Sequence, residues 1–422
     1  MPANERYSVE EIVERVTRAE QATLGRRGRM DEDYALQRGD AYDTNTDVDG
    51  GDAGTDFRSF TANEAGSFVR KIVSLLTTAK LMIEVPYGRA QAPARQFHDI
   101  KERFAESLLE QSNEALARQI KIALLDQWAW FAPVRGWLTS LAVFRNMVDG
   151  RTVPICQPWD PRNVYWEMGE DGPEWVCERT SRTAGEIRAS YPRASLTTHA
   201  VDELFVVYNF FTGQENAVLT DDVFLKPWTR HGAPRVPVII TPVPTQPEIW
   251  SPASLNNEQG RPESLDDYGE SILATNRGLY KQLNETLSIV LELMAKAREP
   301  AGIVFTDEED TEMDEHPAVT GGLKYLGGQD KYMPVPVPET TKDALQLLGA
   351  VTGMIQRGAI PYSTYGQLEH PISGYAITQL NQQLMTAAGP VAKCISQHLK
   401  GVLDMWVEQY ETGQFWPVKV QG

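Results

Sequence analysis

The sequence predicts an α+β protein, predominantly helical, on three observations. Apolar residues recur at helical spacing over several long segments, above all 265–299 and 373–410. Short runs of strand formers, several closed by Gly or Pro, gather in the middle third. The composition, 41% hydrophobic and 23% charged over 422 residues, is that of an ordinary globular chain. This length suffices for two or three units that each bury a core.

Residues 8–21 predict a short amphipathic helix. Ser8 is its cap, and Glu10, Glu11 and Glu14 stand near the positive end of its dipole. The Gly/Asp-rich stretch 40–56 predicts a loop. Within it Asn45, Asp47, Asp49, Gly50 and Asp56 approach the calcium-loop pattern. Asparagine opens that pattern, aspartate replaces the closing bidentate glutamate, and no clear helix pair flanks it. A solvated Asp/Gly turn is therefore the plainer reading, with a bound ion as the alternative. Residues 63–77 predict a helix through Phe68, Ile72, Leu75 and Leu76, and 81–86 alternate like a strand. Two further helical patterns, 97–129 and 131–149, are rich in Leu, Ala and Trp, with Pro133 as the break between them.

The middle third predicts strands at 163–166 and 174–180 around a turn at Gly169–Gly172, then a helical turn at 186–190. Further strands are expected at 204–211, 217–219 and 236–242. Together these predict a small sheet packed on the preceding helices. A Pro/Asn/Ser-rich connection follows at 242–262.

The second half is simpler. The helical pattern 265–299 ends at Pro300 and would span about 50 Å at the α-helical rise, longer than a typical globular helix. Its apolar stripe is Ile272, Leu279, Leu283, Leu287, Val290, Leu291 and Met294, while Asn276, Arg277, Lys281, Asn284 and Glu285 make much of the rest polar. A stripe this narrow must be buried against neighbours, and other subunits would serve. Between Pro300 and Pro338 come a strand at 303–305, the acidic run DEEDTEMDEH, a strand near 323–326 and the proline ladder MPVPVPE. A helix at 340–357 and the loop GAIPYSTYGQLEHPIS lead to a third long helical pattern. Gly389-Pro390 interrupts it and predicts a kink.

Several functions are disfavoured. The formal net charge is −18, which repels free nucleic acid unless basic residues cluster, and no such cluster occurs in the sequence. Sequence-specific DNA binding is not expected, whereas an acidic wall that DNA slides past is compatible with this charge. Cys156, Cys177 and Cys394 are odd in number, form no CxxC, and read as reduced thiols of an intracellular protein. The N-terminal segment has no apolar signal core, and no window approaches the roughly 18 apolar residues of a spanning helix, so a soluble protein is expected. The six histidines are scattered without HExxH spacing, and GxSxG, GxxxxGK[ST] and GxGxxG are all missing from the sequence. No metal, cofactor or enzymatic activity is expected. Trp159, Asp160-Pro161 and Trp166 admit sugar stacking, against the plainer reading of core or subunit-interface tryptophans.

The order of long helix, small α/β insert, shorter helix, loop and kinked helix resembles the portal proteins of tailed bacteriophages. The resemblance is carried by DDYGESILATNRGLYKQLNETLSIVLELMAKAREP, by GGLKYLGGQDKYMPVPVPETTKDALQLLGAVTGMIQRGAIP and by ISGYAITQLNQQL. NEAGSFVRKIVSLLTTAKLMIEVP and QPWDPRNVYW add to it, so that it spans about residues 55 to 415. It implies a wing at 1–264, stem helices at 265–298 and 339–358, and a clip at 299–338. It further implies a tunnel loop at 359–372 and, over 373–422, a kinked long helix returning towards the wing.

The resemblance implies a ring of twelve copies at one capsid vertex of the virion, assembled in the host cytoplasm. The genome would be packaged and ejected through this ring as non-specifically held double-stranded DNA. Its partners would be the major capsid protein, the terminase packaging motor and the head-to-tail adaptor. Leu279, Leu283, Leu287 and Leu291 would pack the stem between subunits. Asp307, Glu308, Glu309, Asp310 and Glu312 would meet the adaptor or motor at the clip. Tyr362, Tyr365, Gln367, Glu369 and His370 would touch passing DNA from the tunnel loop, none of them a strong phosphate anchor. Family members commonly continue into a helical crown, whereas this sequence stops at PVKVQG, so either the crown is lacking or the sequence is shortened. Two rivals stay open: another virion ring such as a head-to-tail connector, and an acidic hydrolase acting on carbohydrate through paired carboxylates.

Overall fold

The computed structural model describes residues 6–40, 60–78, 83–84, 92–147, 150–192, 200–245, 269–298, 302–305, 323–326, 331–334, 342–359 and 374–418. The fold is α+β, as expected. The chain forms two compact units: Met1–Glu32, Lys71–Ile272 and Ala388–Gly422 in the first, Asp33–Arg70 and Leu273–Ala387 in the second.

The first unit opens with α1 (Val9–Ala22). Ser8 Oγ accepts from the Glu11 amide at 3.2 Å and the Glu11 carboxylate accepts from the Ser8 amide at 2.7 Å, a reciprocal cap that fixes the helix start. Helix α2 (Leu24–Arg38) follows, and its arginines fasten it to the unit. Arg26 lies over the rings of Trp137 and Trp166, and Asp31 pairs with Arg162. After α3 (Glu64–Thr78) come α4 (Ala92–Arg118) and α5 (Leu124–Arg135).

The pattern expected to be helical over 131–149 is instead the end of α5 followed by strand β1 (Trp137–Asn146). Gly136 ends the helix in the left-handed conformation, φ 72°, with its amide donating to Ala132 O at 3.0 Å. Pro133 lies inside α5 near its end. The break between the helices falls at 119–123, where Ile120 has φ 58°.

Strand β1 pairs antiparallel with β2 (Thr152–Trp159) and with β8 (Val238–Pro242), giving the order β2-β1-β8. A second sheet, β3-β4-β5-β6-β7, is antiparallel throughout. Its strands are β3 (Val164–Gly169), β4 (Gly172–Thr183), β5 (Leu204–Thr212), β6 (Glu215–Leu219) and β7 (Phe224–Arg230). The expected turn at Gly169–Gly172 joins β3 to β4, and the expected helical turn is α6 (Ala184–Ser190). Strands β2 and β7 carry Pro154, Pro158 and Pro227, and both lie at sheet edges, where the missing proline amides cost least. Of the strand expected at 81–86, only Ile83 and Glu84 are described, and they are not strand.

Alternation along the five strands separates two faces. Trp175, Cys177, Tyr208, Phe210 and Leu219 pack on Val9, Ile12 and Val16 of α1. Val176 and Phe211, on the opposite face, share a core with Leu141, Trp159, Val236 and Val238. The two sheets thus meet face to face, and Trp159 is a core residue with 2% exposure. Helix α9 (Gly374–Glu411) contributes Val391, Cys394, His398, Val402, Met405 and Trp406 to the buried set of this unit.

The second unit contains α7 (Arg277–Arg298), preceded by a 3₁₀ turn at Ala274–Asn276, and α8 (Lys342–Gly358), which packs against α7. Between them in sequence lie β9 (Gly302–Phe305), β10 (Leu323–Leu326) and β11 (Lys331–Pro334). These form the sheet β10-β9-β11, in which β9 runs parallel to β10 and antiparallel to β11. The strand at 331–334, whose Met333 and Pro334 open the proline ladder, was not expected.

The first stem helix was expected from residue 265, but residues 269–273 are not helical. Gly269 adopts φ 76°, and a Cβ there would stand 2.3 Å from Trp137 Nε1. The Ile272 amide donates instead to Pro133 O at 3.0 Å. The backbone is thereby drawn against Trp137, and helical bonding begins only beyond it.

Candidate functional site

The stem residues expected to pack between subunits all lie on α7. Within the single chain Leu283 is buried, Leu279 and Leu287 are half-buried and Leu291 is exposed. The face that α7 buries inside its own unit is more polar than its stripe suggested. Asn276, Asn284, Ser288 and Glu292 are all buried with Tyr280 and Ala295. Asn284 Oδ1 accepts from the Ala62 amide at 2.9 Å, Ser288 Oγ accepts from the Phe60 amide at 2.8 Å, and Asn276 Nδ2 donates to Ile355 O at 2.9 Å. Arg277 forks onto Asp33 with two bonds of 2.8 Å. Asn276 and Asn284, read from the sequence only as part of the polar remainder beside the stripe, are therefore anchors for neighbouring backbone.

This arrangement leaves apolar side chains uncovered within one copy: Ile289 and Met294 on α7, Leu347 and Met354 on α8. The tunnel-loop residues Tyr362, Tyr365, Gln367, Glu369 and His370 lie outside the described residues. So do the clip carboxylates Asp307, Glu308, Glu309, Asp310 and Glu312 and the calcium-like loop Asn45, Asp47, Asp49 and Asp56. Gly389 and Pro390 sit within α9, which is assigned as one helix from Gly374 to Glu411. Pro390 has no N–H to give to the helical ladder.

In the first unit, His398 is fully buried. Its Nε2 stands 2.8 Å from Ser140 Oγ and its Nδ1 2.9 Å from Thr241 Oγ1, while Trp128 Nε1 donates to Ser140 Oγ at 3.0 Å. Burial pushes the imidazole pKa down to about 3, so the ring is neutral. The three cysteines are buried free thiols. Burial raises Cys156 and Cys394 to about 12 and Cys177 well above its ordinary value, so none is poised as a nucleophile.

A cavity of about 890 Å³ opens between the two sheets of this unit. Among the described residues Arg145 from β1, Arg182 from β4, and Lys226 and Arg230 from β7 line it, against the single carboxylate of Glu178. Lys226 Nζ donates to Asn216 Oδ1 at 2.7 Å, and Arg182 Nε donates to Thr180 Oγ1 at 3.3 Å. Burial lowers the Lys226 pKa and nearby Arg145 lowers it further. Burial raises Glu178 to about 7, against the opposing pull of Arg182, Asn209 and Lys121. No local motif announces this cluster, because its members come from strands far apart in sequence.

Among the described residues no group of three or more His, Cys, Asp or Glu is placed to hold a metal ion. No described helix is long and apolar enough to cross a membrane. No family model and no curated protein matches the chain.

Proposed function

We propose that this chain is a portal-class subunit. In this reading, copies of it close into a ring at one capsid vertex of a tailed phage, and double-stranded DNA is packaged and ejected through the ring. The observation that carries the reading is the order of elements along the chain from Arg277 onward: α7, the small sheet β10-β9-β11, α8 and then α9. These correspond in sequence to stem, clip, second stem helix and returning helix of the family the sequence resembles. Exposed Ile289, Met294, Leu347 and Met354 support it, since apolar side chains left bare on stem helices are what neighbouring copies would cover.

In this role the protein is a conduit rather than an enzyme. Packaging force comes from a separate terminase motor docked on the clip, which later receives the head-to-tail adaptor, while the wing meets the major capsid protein. A net charge of −18 per copy, repeated around the ring, keeps phosphate adhesion weak.

Single-particle imaging of the purified protein tests the proposal. The expected result is a ring with a central hole and a narrowed stalk, from which the number of subunits is counted directly. Compact single-chain particles at every concentration would overturn it.

A further inference from the structure

We propose that the cavity between the two sheets of the first unit binds a small phosphate-bearing ligand, gripped by Arg145, Arg182 and Lys226. This inference is independent of the ring reading and concerns a different part of the chain.

Charge is the first argument. The chain as a whole holds 58 acidic residues against 40 basic ones, yet among the described residues the lining of this cavity sets four cations against one carboxylate. Arg230 faces Glu215 across the β6–β7 register, and Arg6 already holds Glu215 with bonds of 2.9 and 3.1 Å. The other three cations share the cavity lining, where Glu178 acts on Arg182 without forming an ion pair with it. Lys226 and Arg182 bond to the neutral partners Asn216 and Thr180, and Arg145 is close enough to depress the Lys226 ammonium. Among the described residues none of the three forms an ion pair with a carboxylate. Crowding like charges in a partly desolvated cleft costs free energy that a bound anion returns.

Geometry is the second argument. The three cations stand on β1, β4 and β7, in two sheets whose cores fix their positions, so the site is organised before anything binds. Guanidinium forks match phosphate oxygens in pairs, and the Lys226 ammonium retains donors beyond its bond to Asn216. A carboxylate ligand brings one negative charge, whereas a phosphate monoester brings nearly two and meets more of the cationic excess. Glu178, buried and drawn towards neutrality, offers little repulsion and in its protonated form donates a hydrogen bond. The volume falls within the range of small-ligand sites, and a cleft between packed sheets does not admit a DNA duplex.

The experiment is calorimetric titration of inorganic phosphate into the full chain. One saturable site per chain is expected, and Arg182→Gln with Lys226→Gln should weaken it by at least about ten-fold. Arg145→Gln is a second variant whose exposed side chain makes its folding safe, and it should weaken binding in the same direction. Arg235→Gln removes a guanidinium that pairs with Glu408 outside the cavity and should leave phosphate affinity unchanged. Matching urea midpoints would establish that each variant is folded. Absence of saturation in the millimolar range would overturn the proposal. So would equal affinity in all the variants, or an equal loss with Arg235→Gln.

Discussion

Ser140 Oγ lies 2.8 Å from His398 Nε2, and both residues have 0% exposure. The spacing is that of a nucleophile and its base, but the pair is sealed in the core, with Thr241 rather than a carboxylate on the far nitrogen. Its consequence is for stability.

The folded-state pKa of His398 is pushed from 6.5 down to about 3, so between those values the unfolded chain binds a proton that the folded chain refuses. Stability from the neutral ring is complete above pH 6.5 and is lost as pH falls, by about 1.4 kcal/mol per unit. His398→Gln should cost about 1–3 kcal/mol at pH 7 by disturbing the buried bonds. That deficit should shrink steadily from pH 6.5 to 4.5 in urea titrations. A deficit that does not change with pH would show that the imidazole does not stay neutral.

Glu178 acts in the opposite sense. Its folded pKa is raised from 4.5 to about 7, so the folded chain holds the extra proton in that window. Its contribution is favourable below pH 4.5 and is lost as pH rises to 7. The charged groups acting on it are Arg182 on its own strand and Lys121 from the 119–123 turn, and its charge in turn acts on the Tyr191 phenol. Glu178→Gln should therefore gain on the wild type by about 1.4 kcal/mol per unit between pH 4.5 and 7. Because His398 and Glu178 partly cancel in the wild type, each is measured as a difference between variant and parent at matched pH.

Local signals made some elements legible. Ser8 with Glu11, the Gly169–Gly172 turn and the apolar periodicity of 373–410 each act within a few residues of themselves, and the corresponding elements stand close to where the sequence puts them. Strands β2 and β7 were hidden by Pro154, Pro158 and Pro227, which only an edge position makes acceptable. Strand β1 was hidden differently: Leu141, Ala142 and Phe144 are all buried, and a run apolar on both faces has no period to separate it from a helix. The polar anchors on α7 and the cavity cations depend on partners far away in sequence. Periodicity could not pair Asn284 with Ala62, nor bring Arg145, Arg182 and Lys226 together.

The Asn284 anchor gives a direct test of that non-local packing. Asn284→Leu leaves the Ala62 amide without its acceptor and places a larger apolar side chain against the 60–62 backbone. A loss of about 1 kcal/mol is expected from the half-buried donor left without its acceptor. Urea unfolding measures it. Hydrogen exchange at the Ala62 amide should accelerate in the variant, and unchanged protection there would contradict the anchoring role.

For the tunnel loop, the proposed contacts with DNA are weak and distributed. Replacing Tyr365, Gln367, Glu369 and His370 together by alanine should impair packaging in an in vitro assay while ring assembly is preserved. Normal packaging by that variant would remove the loop from the mechanism.

Ring closure itself can be separated from folding through Met294 on α7 and Leu347 on α8. Both are more than half exposed in the single chain, at 58% and 54%, so a lysine at either position disturbs little within one copy. If neighbouring subunits cover them, each lysine forfeits roughly 1.5–3 kcal/mol of apolar burial and brings a charge into the contact. A closed ring repeats that loss at every interface. Met294→Lys with Leu347→Lys should therefore shift the mass distribution in sedimentation from ring to single chains, with the far-ultraviolet spectrum and the urea midpoint of the single chains unmoved. A double variant that still sediments as a ring would place the subunit contacts on another surface. A variant that unfolds would show instead that these side chains serve the stability of the single chain.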